Sequence, residues 1–200
     1  TTRDIKSAVV VGGGFVGIEM VENLVNRGIE VTLVEMLDQV MNNVDRDMAQ
    51  WLHMELNEKG VHLSFSEALV RVEHNGGKAN IVLASGKSIS ADMVILSAGI
   101  KPNTELAKAA GLSLGRKGHI IVDQMLTTND PDIFALGDAV EVTNFITNQR
   151  CVAALAAPAN KQGRIAAGNV LGSRIPYRGA QMTSVAKVFS KTIAATGLTE

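Results

Sequence analysis

Three glycines spaced Gly12-x-Gly14-x-x-Gly17 stand between a short apolar run and a helical pattern, and an acidic residue, Glu35, follows Gly12 by 23 positions. That combination carries the chemistry of a dinucleotide fingerprint. Gly12 makes the tight turn, and Gly14 lets a pyrophosphate approach the backbone where helix N–H groups and the positive dipole end receive it. Gly17 lets helix and strand pack closely. Gly13, Phe15 and Val16 fill the junction and belong to the same candidate cofactor contact. Glu35 ends a second strand, where a carboxylate accepts both hydroxyls of an adenosine ribose and repels a 2′-phosphate. Met36 follows it and Arg46 is the first arginine after it, so no guanidinium is placed early to hold that phosphate. NAD(H) is therefore favoured over NADP(H). A glycine turn without a ligand and a solvated strand-end glutamate are the competing readings, and strand, helix and terminal acid together weigh against them.

Other candidates leave alternatives open. Glu19 sits on the first turns of the glycine-opened helix within the apolar FVGIEM, either exposed on the outer face or aimed into the cofactor cleft. Phe15, immediately after the glycines, is more often core than cofactor contact. A second constellation, Thr127 to Asp138, joins a turn to the apolar Ile133–Leu136 and then to Gly137-Asp138. A carboxylate there can accept a ligand hydroxyl, or simply close a turn.

The elements that must position these residues follow from periodicity. Ser7 to Val11 reads as a strand covered on both faces, Phe15 to Asn26 as a helix with Gly28 past its end, and Glu30 to Glu35 as a second strand. Asp45 caps a further helix with Met48, Leu52 and Leu56 on one face, and Val61 to Phe65 is a third strand in a βαβαβ series. Asn75-Gly76-Gly77 marks a hairpin between Leu69–Glu73 and Ile81–Leu83, and Ser85-Gly86 another turn, so a small antiparallel insertion interrupts the series. Met93 to Leu96 returns to a buried strand and Pro102-Asn103 starts a short helix ending at Gly111. Beyond it come strands at Ile120–Val122 and Ile133–Leu136, a helix from about Ala156 to Leu171 with Pro158 in its first turn, and a strand at Ser184–Phe189. The fold class expected is α/β: a Rossmann-like dinucleotide-binding domain, with a parallel sheet, helices on both faces and the antiparallel insertion, followed by a further partial domain.

Composition narrows the function. Nineteen Lys and Arg against 20 Asp and Glu give a net charge of −1 with no basic run, which argues against nucleic acid or an anionic membrane surface as partner. One cysteine, Cys151, excludes an internal disulfide framework and suits a reducing compartment, and His53, His62, His74 and His119 lack metal-ligand spacing. No apolar run reaches transmembrane length and the N-terminal residues lack a signal-peptide core, so the sequence is of cytoplasmic type. Glycine, 19 of 200, exceeds the usual share of about 7% because several positions bring the backbone close to something.

GGGFVGIEMVENL with VTLVE, then SAGIKPNTELAKAAGL, TTNDPDIFALGDAVEV and AAPANKQGRIAAGNVLG resemble, in order and spacing, the pyridine nucleotide-disulfide oxidoreductase family of flavoproteins. The resemblance covers essentially all 200 residues and is nearest to the branch of NADH oxidases, coenzyme A-disulfide reductases and NADH-dependent persulfide reductases. It implies an NAD domain over residues 1–112, the C-terminal half of an FAD domain over 113–177, and the opening of an interface domain over 178–200. Carried over by position, Gly137 and Asp138 match the flavin motif, Ala156 and Ala157 fall where backbone approaches the flavin ring, and Gly99 lies alongside the nicotinamide nucleotide. Glu19 matches an acid near the nicotinamide end, and Phe15 an aromatic that gates access to the flavin.

The departures are as informative. The family's earlier glycine fingerprint and its N-terminal redox cysteine are absent, and Cys151 is not the equivalent of that cysteine. The resemblance therefore implies an excised piece of a larger, homodimeric enzyme that acts on a small-molecule disulfide, persulfide or oxidant. No catalytic residue and no metal site is assigned to this chain, and FAD, a cofactor of the parent, is not expected to stay bound to the piece. A stand-alone dinucleotide-binding module, and a piece of a flavoprotein that reduces an iron–sulfur protein, are the alternatives.

Overall fold

The computed structural model describes residues 4–199, with Asn75 described by its backbone alone. In chain order the elements are β1 (Ser7–Val11), α1 (Phe15–Val25), β2 (Glu30–Val34), α2 (Arg46–Glu58), β3 (His62–Ser64), β4 (Leu69–Asn75), β5 (Lys78–Leu83), β6 (Ser88–Ala91) and β7 (Met93–Leu96). They continue with α3 (Glu105–Ala109), β8 (Ile120–Ile121), β9 (Val140–Thr143), β10 (Arg150–Cys151), α4 (Ala156–Val170), β11 (Ser184–Val188) and β12 (Lys191–Ala195). They form two compact units: residues 4–99 with Val185–Ala194 and Thr199, and Ile100–Ser184 with Ala195–Leu198.

The first unit is built on a parallel sheet in the order β3-β2-β1-β7. β1 lies in the middle, so both of its faces must be covered, and Ala8, Val9, Val10 and Val11 are all buried. The steps from β1 to β2 to β3 run in one direction, and right-handed crossovers then put α1 and α2 on the same face. The other face meets the antiparallel sheet β4-β5-β6: Val9, Val11 and Val34 pack on Ile81, Leu83 and Ala91. The inserted hairpins supply apolar cover for this face of the sheet.

Within α2 the buried positions are Ala49, Leu52, His53, Glu55 and Leu56, while Met48 is exposed, so the inward face is turned from the expected one. A second carboxylate, Asp92, ties the sheet's near edge together by accepting from the Lys6 and Ser7 N–H groups and the Ser7 hydroxyl. Phe189 and Ser190, between β11 and β12, donate backbone N–H groups to Glu22 of α1 and Glu55 of α2.

The second unit holds a three-stranded sheet, β10-β9-β8, over a core of Val122, Leu126, Val140, Val142, Ala153, Ala166 and Tyr177. α4 starts at Ala156 with Pro158 in its first turn, as expected. The short helix starts at Glu105, two residues after Asn103, because Thr104 is its N-cap. Ile133–Leu136 does not form a strand: Phe134 makes one isolated bridge to Thr127 and the chain turns into a short 3-10 helix at Gly137–Ala139. The regular strand comes next, β9, where Val140 and Val142 alternate inward.

Candidate functional site

β1 and β7 end side by side, and the chain steps to opposite sides of the sheet from β1, so the crevice beyond these strand ends is the topological switch point where open α/β sheets take ligands. Gly12 is there with φ +106°, and a Cβ on it would lie 2.5 Å from the Ser97 carbonyl oxygen. Only glycine fits both the dihedral and the space. Ser97 binds this turn from the other strand, its hydroxyl donating to the Val11 oxygen at 2.8 Å and the Gly12 oxygen at 3.2 Å. A Cβ on Gly17 would run into the Gly12 carbonyl oxygen, so the helix approaches the turn as closely as a bare backbone permits. Gly14 differs from both: it is exposed, its φ is −76°, and a Cβ there would meet nothing within 4 Å. The space in front of it, at the N-terminus of α1 with no side chain capping the helix, is open to an anionic group.

Glu35 follows β2 directly. Its Oε2 accepts the Gly13 N–H at 2.5 Å and its Oε1 the Leu37 N–H at 2.8 Å. A carboxylate has about four lone-pair sites, so two remain for hydroxyl donors. Residues 36–44 fold over this corner. Met41, with φ +51°, donates its N–H to the Gly13 oxygen at 2.9 Å, and Val40 Cγ1 lies 3.1 Å from where a Cβ on Gly13 would be. His53 holds Val40 from behind, its Nε2 accepting the Val40 N–H at 3.2 Å. Burial pushes the His53 pKa below its usual 6.5; Asp38 opposes the shift and Arg46 assists it.

The remaining candidates of this unit lie on α1 and just beyond β7. Phe15 is half-buried, Val16 is 59% exposed, and Glu19 is exposed on α1. Gly99, exposed with φ +102°, follows Ser97 and Ala98 beyond β7. Ser97, Val40, Met41 and His53 escaped the sequence reading. Nothing local marks them, since a methionine at positive φ is imposed by tertiary contacts.

In the second unit Gly137, with φ +78°, donates its N–H to the buried Gln162 Oε1 at 2.7 Å, which holds the Gly137-Asp138 turn against α4. Asp138 is exposed beside it, and Ala156 and Ala157 are exposed at the start of α4, which has no side-chain cap. A carboxylate and unpaired helix N–H groups therefore share one region of this unit. Cys151 is half-buried, and burial, with the Glu141 carboxylate adding to it, pushes its thiol above the usual range. A thiol kept protonated is a poor nucleophile. Among the described residues no group of three or more His, Cys, Asp and Glu is placed to hold a metal ion, and no helix is long and apolar enough to cross a membrane.

Comparison with known proteins agrees with this geometry. The chain is 38% identical over 200 residues to an NADH oxidase of Enterococcus faecalis, covering 99% of this chain and 45% of the relative. Among solved structures, reduced Bacillus anthracis CoADR-RHD superposes with a TM-score of 0.94 at 47% identity, over 98% of this chain and 35% of that one. An NAD-dependent persulfide reductase from A. fulgidus gives 0.94 at 41%, over 98% of this chain and 37% of that one. The chain thus spans less than half the length of the curated relatives it matches. The glycine turn, the parallel sheet and the flanking ribbon lie within residues 1–164, which match the family model described as pyridine nucleotide-disulphide oxidoreductase; the chain belongs to that family.

Proposed function

We propose that this chain is the NAD(H)-binding portion of an NADH-dependent FAD flavoprotein disulfide reductase, of the NADH oxidase or coenzyme A-disulfide and persulfide reductase type. The observation that carries the reading is the pairing of an open Gly14 and uncapped helix N-terminus with the Glu35 carboxylate at one sheet end. Gly12, Gly13, Gly14, Phe15, Val16 and Gly17 line the pyrophosphate side, Glu35 takes the adenosine ribose, and Glu19 and Gly99 stand toward the nicotinamide. Gly137, Asp138, Ala156 and Ala157 are the contacts offered to a flavin. When bound, NADH supplies a hydride and FAD relays the electron pair to a cysteine outside this chain. The protein's own groups bind and orient: helix N–H groups receive the pyrophosphate, and the Glu35 carboxylate fixes the ribose and repels a 2′-phosphate.

In this reading residues 1–112 are the NAD domain, 113–177 the C-terminal half of the FAD domain and 178–200 the start of an interface domain, limits drawn by motif rather than compactness. The parent works as a homodimer in a reducing, cytoplasmic setting on a small-molecule disulfide, persulfide or oxidant. Calorimetric titration with NADH and NADPH, with Glu35→Ala alongside, tests the proposal. Selective NADH binding that Glu35→Ala weakens is the expected result; no binding of either nucleotide overturns it.

A further inference from the structure

His53 has no part in the dinucleotide reading, yet a chain of contacts leads from it to the glycine turn. Its ring is buried on α2 with the Phe65 ring 4.5 Å away, and its Nε2 accepts the Val40 N–H at 3.2 Å. An imidazole nitrogen accepts only when it carries no proton, so this bond requires the neutral ring with its proton on Nδ1. Val40 is fully buried against Gly13, the next residue Met41 donates to the Gly13 oxygen, and the Gly13 N–H donates to Glu35. Every one of these residues belongs to the first unit.

We propose that His53 is a positioning residue for the nucleotide site: as a neutral acceptor it anchors residues 36–44 against Gly13 and so sets the Glu35 carboxylate for an adenosine ribose. The inference rests on the reading of Glu35 given above. Protonation turns Nε2 into a donor facing the donor of Val40, and the covering segment loses its anchor. Two charged groups act on the ring: Asp38, from the covering segment, favours the protonated form, and Arg46, from the first turn of α2, opposes it. These two are paired with each other at 2.6 Å, which blunts both, and burial outweighs them. The element beyond the ring contributes the aromatic face of Phe65.

The test measures NADH dissociation constants of the full 200-residue chain by calorimetry at about pH 7.5 and about pH 5.5, across the histidine range, for wild type, His53→Gln and His53→Leu. Glutamine offers a carbonyl acceptor to Val40 and does not titrate; leucine offers none. Wild type is expected to lose affinity on acidification, approaching about fivefold as the ring becomes fully protonated, as the loss of one hydrogen bond gives. His53→Gln should bind like wild type at the higher pH and lose less at the lower one, and His53→Leu should bind weakly at both. Equal losses in wild type and His53→Gln, or tight binding by His53→Leu, overturn the proposal. Should His53→Leu fail to fold by circular dichroism, the pH profile of His53→Gln decides alone. Wild type that binds no NADH at the higher pH overturns the dinucleotide reading and this inference with it, a result distinguishable without any variant.

Discussion

Gly14 and Gly17 lie within one turn of each other and meet opposite surroundings. At Gly17 a Cβ collides with the Gly12 carbonyl oxygen, whereas at Gly14 it enters open space at an ordinary φ. Gly17→Ala should therefore cost about 1–3 kcal/mol by forcing the backbone apart, read as a lower urea midpoint. Gly14→Ala should change stability by less than about 1 kcal/mol, since it only swaps a helix N-cap, yet it should abolish NADH binding by filling the pyrophosphate's place. If both variants lost stability alike, the open space at Gly14 would have no ligand to explain it. Glu35→Ala should lower NADH affinity at least tenfold, roughly the 1.5–3 kcal/mol of a hydrogen bond to a charged group; unchanged calorimetric affinity would remove Glu35 from the site. The glycines and Glu35 were legible in the sequence because their types are dictated by local needs, close approach and a terminal charge. Val40, Met41 and Ser97 were not, because their roles exist only once distant strands and the covering segment meet.

At the scale of elements, α2 shows how a pattern can leave its angular setting undecided. Apolar residues occur on several sides of this helix, at Met48, Trp51, Leu52, Met54 and Leu56, and the side facing β3 is selected by packing. Leu52 is buried and Trp51, its neighbour, is 58% exposed. Leu52→Ala should cost about 2–5 kcal/mol by leaving a cavity, while Trp51→Ala should stay within about 0.5 kcal/mol. Urea unfolding of the two variants checks the assignment, and a reversed order would mean that the helix is rotated. The turn at Ile133–Leu136 makes the same point from the other direction. Its four apolar residues resemble a strand, yet its backbone bonds go to Leu126 and Thr128, which flank one isolated bridge, and to the Asp130 carbonyl in a turn, and the ladder is taken up by β9 instead. The alternation of Val140 and Val142 was the available signal.

On the scale of the whole molecule, several groups tie stability to pH with the same sign, Asp92 and His53 among them. Asp92, whose carboxyl is drawn down to about 2 chiefly by the Lys6 backbone N–H and then by Ser7, contributes stability that is present above the usual 3.8 and lost as pH falls from there toward 2. His53, held below 6.5 by burial, is protonated first in the unfolded chain, so its contribution is complete above 6.5 and declines as pH falls below it. The urea midpoint should fall in two stages on acidification; His53→Gln should flatten the upper stage and Asp92→Asn the lower. Coincident profiles for wild type and both variants would refute the assignment. Apolar residues left in water are the other property of the whole chain: in the second unit Phe145, Val170 and Leu171 are exposed, Leu171 to 86%. The chain should self-associate in sedimentation velocity, and Leu171→Lys should reduce that association; a monomer at all concentrations would contradict it.

The amino-acid sequence by itself determined the order of the first unit's strands and helices, the glycine turn, the acid that follows β2 and the long helix of the second unit. Those features depend on hydrophobic period, β-branched runs and glycine spacing, all of which act within a few residues. Only the tertiary structure decided that an antiparallel ribbon covers the second face of the sheet, which side of α2 turns inward, and that His53 stands behind Val40. These depend on which surfaces exclude water together and on which buried donor finds an acceptor, and residues far apart in the chain settle both.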